Sequence, residues 1–157
     1  MEVRPLEPKD REPLAALIRR IETFSQEEVQ VAIELVDLAL QPNNPDYTIV
    51  VAEREPGRII GYVCYGPTPM TEGTFDLYWI ASDPEVRGQG VGASLVSAME
   101  GDLRRRGARL IRVETSATEA YGPTRGFYAS MKYMEECRFR DFYKVGDDLI
   151  TLAKRLH

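Results

Sequence analysis

Apolar residues early in the chain recur at helical spacing. Over residues 8–23, Leu14, Leu17, Ile18 and Ile21 share one face, which predicts an amphipathic helix. Ser25 followed by Glu28 has the form of a capping box, and behind it Val29, Ala32, Ile33, Val36 and Leu40 trace a second helix that ends before Pro42. The period then drops to that of strands. Residues 47–54 and 58–65 are rich in β-branched and aromatic side chains, and Glu55-Pro56-Gly57 between them signals a hairpin. Residues 74–81 are apolar on both parities apart from Asp76, the pattern of a strand covered on both faces near the centre of a sheet. A short apolar opening at residues 3–6 suits an edge strand.

Beyond that central strand the pattern breaks at Asp83-Pro84 and then shows three glycines at alternate positions, Gly88, Gly90 and Gly92. A helical run follows at once over residues 91–106, with Val91, Leu95, Val96, Met99 and Leu103 on one side and a stop at Gly107. Residues 110–114 read as a strand, and Pro123 is placed to open a further helix whose apolar residues include Phe127, Met131 and Met134. Strands over 135–143 and 148–154 flank the turn Val145-Gly146-Asp147. The order β-α-α-β-β-β-α-β-α-β-β predicts one α/β domain over residues 1–157, built on a single mixed sheet.

Composition narrows the function classes. With 157 residues, 43% hydrophobic and 29% charged, the chain has the makeup of an ordinary globular domain. A net charge of -5 argues against generic nucleic-acid binding, and no apolar run approaches the ~20 residues a membrane span needs. The N-terminus lacks a signal-peptide core, so a cytoplasmic location with no membrane partner is expected. Cys64 and Cys137 lie in strand-like segments without metal-ligand spacing and read as buried free thiols. The one histidine, His157, is the last residue. A histidine-based triad or a histidine-ligated metal is therefore not expected, and an acid or base must be Asp, Glu, Tyr, Cys, Lys or water.

The strand, turn and glycine-rich helix start over residues 79–93 form an anion site, because open amides and the positive end of the helix dipole converge there. Three readings compete for it. Gly88-x-Gly90-x-x-Ala93 formally satisfies the dinucleotide fingerprint, with Glu114 at a ribose-binding distance. Against this, residues 83–86 intervene between strand and loop, and three successive strands precede it instead of βαβ units. A Walker loop lacks its Lys-Ser/Thr. A turn without a ligand leaves three alternate glycines without a reason, since each adds chain entropy to lose on folding.

Arg87-Gly88-Gln89-Gly90-Val91-Gly92 resembles the [Arg/Gln]-x-x-Gly-x-[Gly/Ala] signature of the GNAT superfamily of acyl-CoA-dependent N-acyltransferases. Arg125-Gly126-Phe127-Tyr128 with Met131-Lys132-Tyr133 is similar to the second motif of that family. The resemblance implies a mostly antiparallel sheet of about seven strands with helices on both faces, splayed between the fourth and fifth strands. It implies acetyl-CoA as cosubstrate and no metal. Backbone N–H groups of Gly88, Gln89, Gly90, Val91, Gly92 and Ala93 would hold the pyrophosphate, with Arg87 contacting phosphate or bracing the turn. Main-chain groups of Ile80, Ala81 and Ser82 would meet the pantetheine arm, and Thr115 and Ser116 would line the other side of the opening. Two positions depart from the family pattern. Lys132 stands where glycine is common before the aromatic, and Ala81-Ser82 replaces a common Val. A lysine in a left-handed turn costs about 1 kcal/mol, so a different helix end is expected there.

Amine acetylation needs a free nucleophile, a polarised thioester carbonyl and a proton for the departing thiolate. The resemblance makes Tyr128 the general acid and a further contact to the cosubstrate; Tyr121 and Tyr133 are nearby alternatives. For the base, Asp76 is a lone charge in an apolar strand, where burial would raise its pKa; Glu114 or a water chain could serve instead. Around the acceptor, the second helix, the loop over 66–73 and residues 140–147 are expected to form the pocket. Glu34, Asp37, Asp76 and Asp141 are its candidate carboxylates. The expected activity is N-acetyl transfer by direct attack in a ternary complex, to a small amine or amino-acid-like acceptor, from a chain that could form a homodimer. A non-catalytic acyl-CoA sensor is the alternative.

Overall fold

Residues 1–156 are described by a computed structural model. The chain runs β1 (Glu2–Pro5), α1 (Arg11–Arg19), α2 (Gln26–Ala39), β2 (Thr48–Glu53), β3 (Ile59–Pro67) and β4 (Thr74–Ser82), then α3 (Val91–Arg105), β5 (Leu110–Ser116), α4 (Gly122–Ser130), β6 (Met134–Lys144) and β7 (Asp147–Arg155). These strands make one sheet in the order β1-β2-β3-β4-β5-β7-β6. Every neighbouring pair is antiparallel except β4 and β5.

Two apolar layers cover the sheet. Leu95, Val96, Met99 and Leu103 of α3 bury against Ile60, Val63, Phe75 and Ile111 on one face, and Tyr128 and Tyr133 join this layer. Leu14, Leu17 and Ile18 of α1 with Ala32 and Val36 of α2 bury against Ile49, Val51, Tyr62 and Cys64 on the other. The capping box at α2 is formed, with Glu28 N–H donating to Ser25 Oγ at 3.1 Å and Ser25 N–H to Glu28 Oε1 at 3.2 Å. The first helix is shorter than the periodicity predicts. Pro8–Asp10 forms a 3₁₀ turn, and α1 stops at Arg19. Ile21 remains buried with Leu14 and Leu17, so the apolar spacing outlasts the helical backbone.

Strand β4 is central, as its two-sided apolar pattern implies, but only its first half is covered. Phe75, Asp76 and Leu77 are buried, whereas Tyr78 to Ser82 are exposed or half-buried. The parallel pairing with β5 runs only from Thr74–Leu110 to Leu77–Val113. Beyond it the sheet splays. At that same point the register with β3 slips: Cys64 faces Trp79 and Tyr65 faces Leu77, leaving Tyr78 as an extra residue in a β-bulge. Such a bulge bends the strand and re-aims its side chains.

The end of α4 differs from expectation in one respect and meets it in another. Met134 is not on the helix; it opens β6 and is 68% exposed. The left-handed turn is nevertheless present, with Lys132 at φ 73°. Tyr133 N–H donates to Tyr128 C=O at 3.0 Å and Lys132 N–H to Ala129 C=O at 3.0 Å, the paired bonds of a Schellman motif. Lysine thus occupies the position that favours glycine, at a cost of about 1 kcal/mol. The cysteines also divide. Cys64 is buried, and burial pushes its thiol pKa up to about 12; Cys137 is exposed on the edge strand β6.

Candidate active site

The turn after β4 is held from outside. Asp83 is buried and receives Arg20 Nη2 at 2.7 Å and Glu85 N–H at 3.0 Å. Arg58 Nη2 donates to Glu85 Oε2 at 3.2 Å, and Arg54 Nη2 to Gln89 Oε1 at 2.7 Å. Three arginines from α1's end and the β2–β3 hairpin therefore brace this loop. Arg87 is exposed and has no ion-pair partner among the described residues.

Two of the three glycines serve backbone shape and the third serves packing. Gly88 and Gly90 have φ of 78° and 80°, a left-handed backbone that other residues adopt at a cost. Gly92 lies inside α3, where a Cβ would come within 3.2 Å of the Phe127 ring. No side chain caps α3, and its first intrahelical bond is Ser94 N–H to Gly90 C=O at 3.0 Å. The amides of Gly90, Val91, Gly92 and Ala93 therefore have no intrahelical acceptor, at the positive end of a four-turn helix, whereas Gln89 N–H donates to the Val86 carbonyl at 3.3 Å.

These amides border a cleft of about 650 Å³ between the open end of β4, the loop, α4 and the α1–α2 connection. Of the residues expected to bind cosubstrate, Ile80, Ala81, Ser82, Arg87, Gly88, Gly90, Val91, Gly92 and Ala93 all line it. Gln89, with its side chain on Arg54, does not, and neither does Thr115, buried in β5 past the last β4–β5 pair. Tyr128 is not among the lining residues either; it is 4% exposed, next in the chain to Phe127, which does line the cleft. Its ring stands 5.4 Å from Phe127 and 5.8 Å from Tyr133. Burial pushes its phenol well above the ordinary value, so it holds its proton throughout the neutral range.

Ile21, Thr23 and Phe24 are cleft residues that the sequence reading missed. Phe24 precedes the α2 N-cap and joins Val29 in the apolar layer, the arrangement of a hydrophobic staple, so its sequence signal concerns the helix start alone. Its ring meets Trp79 edge-on at 5.0 Å. Arg125 has a role that its motif position did not disclose: Nη1 donates to the carbonyls of Ser116 at 2.7 Å and Thr118 at 2.8 Å, tying α4 to the end of β5.

The carboxylates are mostly committed. Arg112 Nε donates to Asp76 Oδ1 at 2.7 Å and Thr68 Oγ1 to Oδ2 at 2.8 Å, so both Asp76 oxygens are engaged in the closed part of the sheet and outside the cleft lining. This is the geometry of an ordinary ion pair. Asp37 is held by Arg11 through two bonds of 3.0 and 3.1 Å, which keep its carboxyl below the usual range. Asp141 accepts from Gly146 N–H at 2.8 Å. Glu34 is exposed. Glu114, also exposed, approaches Arg112 only to 3.7 Å.

A family model for the acetyltransferase (GNAT) family matches residues 14–133. The chain belongs to the GNAT family of acetyltransferases. It is similar, at 37% identity and a TM-score of 0.94 over 99% of both chains, to a candidate GNAT acetyltransferase from Desulfovibrio desulfuricans. An aminoglycoside 6′-N-acetyltransferase solved with coenzyme A shares the fold at 17% identity and a TM-score of 0.79, over 100% of this chain and 98% of that one. The ribosomal-protein-S18-alanine N-acetyltransferase of Escherichia coli does so at 21% identity and 0.76, over 99% and 93%. No curated protein sequence matches this acetyltransferase. Its open sheet, its single parallel pair at the splay and its glycine loop are thus those of an acyltransferase.

Proposed function

We propose that this acetyltransferase moves an acetyl group from acetyl-CoA to a primary amine by direct attack in a ternary complex. The acceptor proposed is a small amine or amino-acid-like molecule. The observation that carries the donor half is the run of open amides from Gly90 to Ala93, beside an Arg87 without an ion-pair partner among the described residues, at the mouth of a splayed sheet. Diphosphate fits such a cradle, because unpaired N–H groups and the helix dipole act together on it. Backbone amides of Gly88 and of Gly90 to Ala93 bind it, Arg87 adds a cation, and the edge of β4 left unpaired beyond Leu77, at Ile80, Ala81 and Ser82, offers main-chain groups to the pantetheine arm.

Acetyl-CoA supplies the activated acyl group and a thiol leaving group. Tyr128, which burial keeps protonated at neutral pH and which follows the cleft residue Phe127 in the chain, holds the proton that the sulfur takes. With Asp76 engaged by Arg112 and Thr68, the amine's proton goes to Glu114 directly or through water, since that carboxylate is exposed at the open end of β5. Nitrogen as the acceptor atom draws support from fold neighbours named as N-acetyltransferases of an aminoglycoside and of a ribosomal-protein alanine, and the first of these is in line with a small acceptor.

A thiol-release assay with acetyl-CoA across amines, amino acids and peptides tests the whole reading. In the Tyr128→Phe variant, kcat is expected to fall about 10²-fold with KM for acetyl-CoA unchanged. In the parent enzyme, kcat should show no alkaline limb from Tyr128 below pH 10. Unchanged turnover in Tyr128→Phe would remove the phenol from the chemistry.

A further inference from the structure

Behind Tyr128 lies a buried polar cluster that the reaction itself does not touch. Glu100, on the face of α3 away from solvent, is 4% exposed. Its Oε1 accepts from Lys154 Nζ of β7 at 2.8 Å, and its Oε2 accepts from the Tyr133 hydroxyl at 2.9 Å. The same Lys154 ammonium donates to the Met131 carbonyl at 3.0 Å and sits 5.6 Å from the Tyr133 ring centre. Arg104 approaches Glu100 at 3.5 Å from the solvent side.

The location of this cluster matters more than its strength. Met131 is the C-cap of α4, and its carbonyl is one of those a helix end leaves open. Tyr133 is the residue after the left-handed Lys132, and its amide closes the Schellman motif onto Tyr128. Lysine resists that backbone, so something must hold the turn. A buried ion pair is a weak source of net stability compared with apolar side chains of like size, which leaves conformational specificity as its contribution. The cluster joins α4 to the helix whose other end carries the coenzyme loop. Phe127 over Gly92 makes the second contact between these two helices. Gly92 and Glu100 are about 12 Å apart along the α3 axis, so α4's last turn is pinned at two separated points.

We infer that Glu100, Tyr133 and Lys154 are positioning residues. They hold the strained end of α4 against α3 and so set the Tyr128 phenol relative to the coenzyme loop. The inference rests on Tyr128 being the proton donor.

The test combines Lys154→Met with changes at the turn and at the phenol. Lys154→Met alone is expected to lower kcat about tenfold with KM for acetyl-CoA within about twofold. Adding Lys132→Gly should restore kcat to within about threefold of the parent, because glycine adopts the left-handed turn unaided. In a Tyr128→Phe background, Lys154→Met should have no further effect on kcat, since both then act on one step. Failure of the glycine to rescue, or an equal loss in both backgrounds, would overturn the inference while leaving a strong Tyr128→Phe effect intact. Silence of Tyr128→Phe by itself would sink the proton-donor reading, and the inference with it. Should Lys154→Met fail to fold, the pair Glu100→Gln/Lys154→Met removes both charges, leaves no bare buried carboxylate, and carries the same expectations.

Discussion

The two sides of the open sheet are made of different materials. On the proposed donor side the groups on offer are backbone: open amides at the start of α3, left-handed Gly88 and Gly90, and the unpaired edge of β4. On the proposed acceptor side the exposed groups are side chains. The edge strand β6 presents Phe139, Phe142 and Tyr143, whose rings meet edge-on at 5.5 and 5.1 Å, and β5 presents Glu114. A backbone site tolerates few substitutions, because its geometry depends on residues lacking a Cβ. A side-chain site can be rewritten one residue at a time without disturbing the strand beneath it.

The sharpest way to break that contrast is at Gly90. Gly90→Val forces a β-branched residue to φ 80° and tilts the first amides of α3. The expected result is a fall of about 10²-fold in kcat/KM for acetyl-CoA together with a lower Tm. A variant that kept its donor KM would show that the side chain of Arg87, and not the backbone, carries the phosphate.

Asp76→Asn comes next in size. It weakens the Arg112 pair between β4 and β5, and stability should drop by about 1–3 kcal/mol in denaturant unfolding, with kcat within threefold of the parent. A hundredfold loss of kcat in a folded Asp76→Asn protein would instead return this residue to the chemistry. The smallest effect is expected on the acceptor side. Phe142→Ser should raise the acceptor KM about fivefold with the donor KM unchanged, as measured with the best amine from the panel. A parallel rise in donor KM would mean that the two sides are not separable.

Legibility follows the same division. The glycine loop was readable because alternate glycines ahead of a helix have few other uses, and the capping box of α2 because it is a local reciprocal bond. The partner of Asp76 was not legible, because a lone acid in an apolar strand looks the same whether it awaits a proton or an arginine, and Arg112 lies 36 residues further on. Gly92 counted as a third loop glycine, yet its constraint is the Phe127 ring from another helix. At Lys132 the residue type argued against a left-handed turn that is nevertheless present, closed by two backbone bonds and with Lys154 donating to the Met131 carbonyl beside it.

By itself, then, the chain's order of residues determined the succession of helices and strands, the central place of residues 74–81 and the place of the glycine-rich turn ahead of α3. Each of these depends on periodicity or on backbone geometry that neighbours in sequence supply. Tertiary structure alone decided where the sheet parts after Leu77, which carboxylates are spent on arginines, and how the end of α4 is held. Those outcomes depend on pairings between residues far apart in the chain, and their energies exist only once the elements have met.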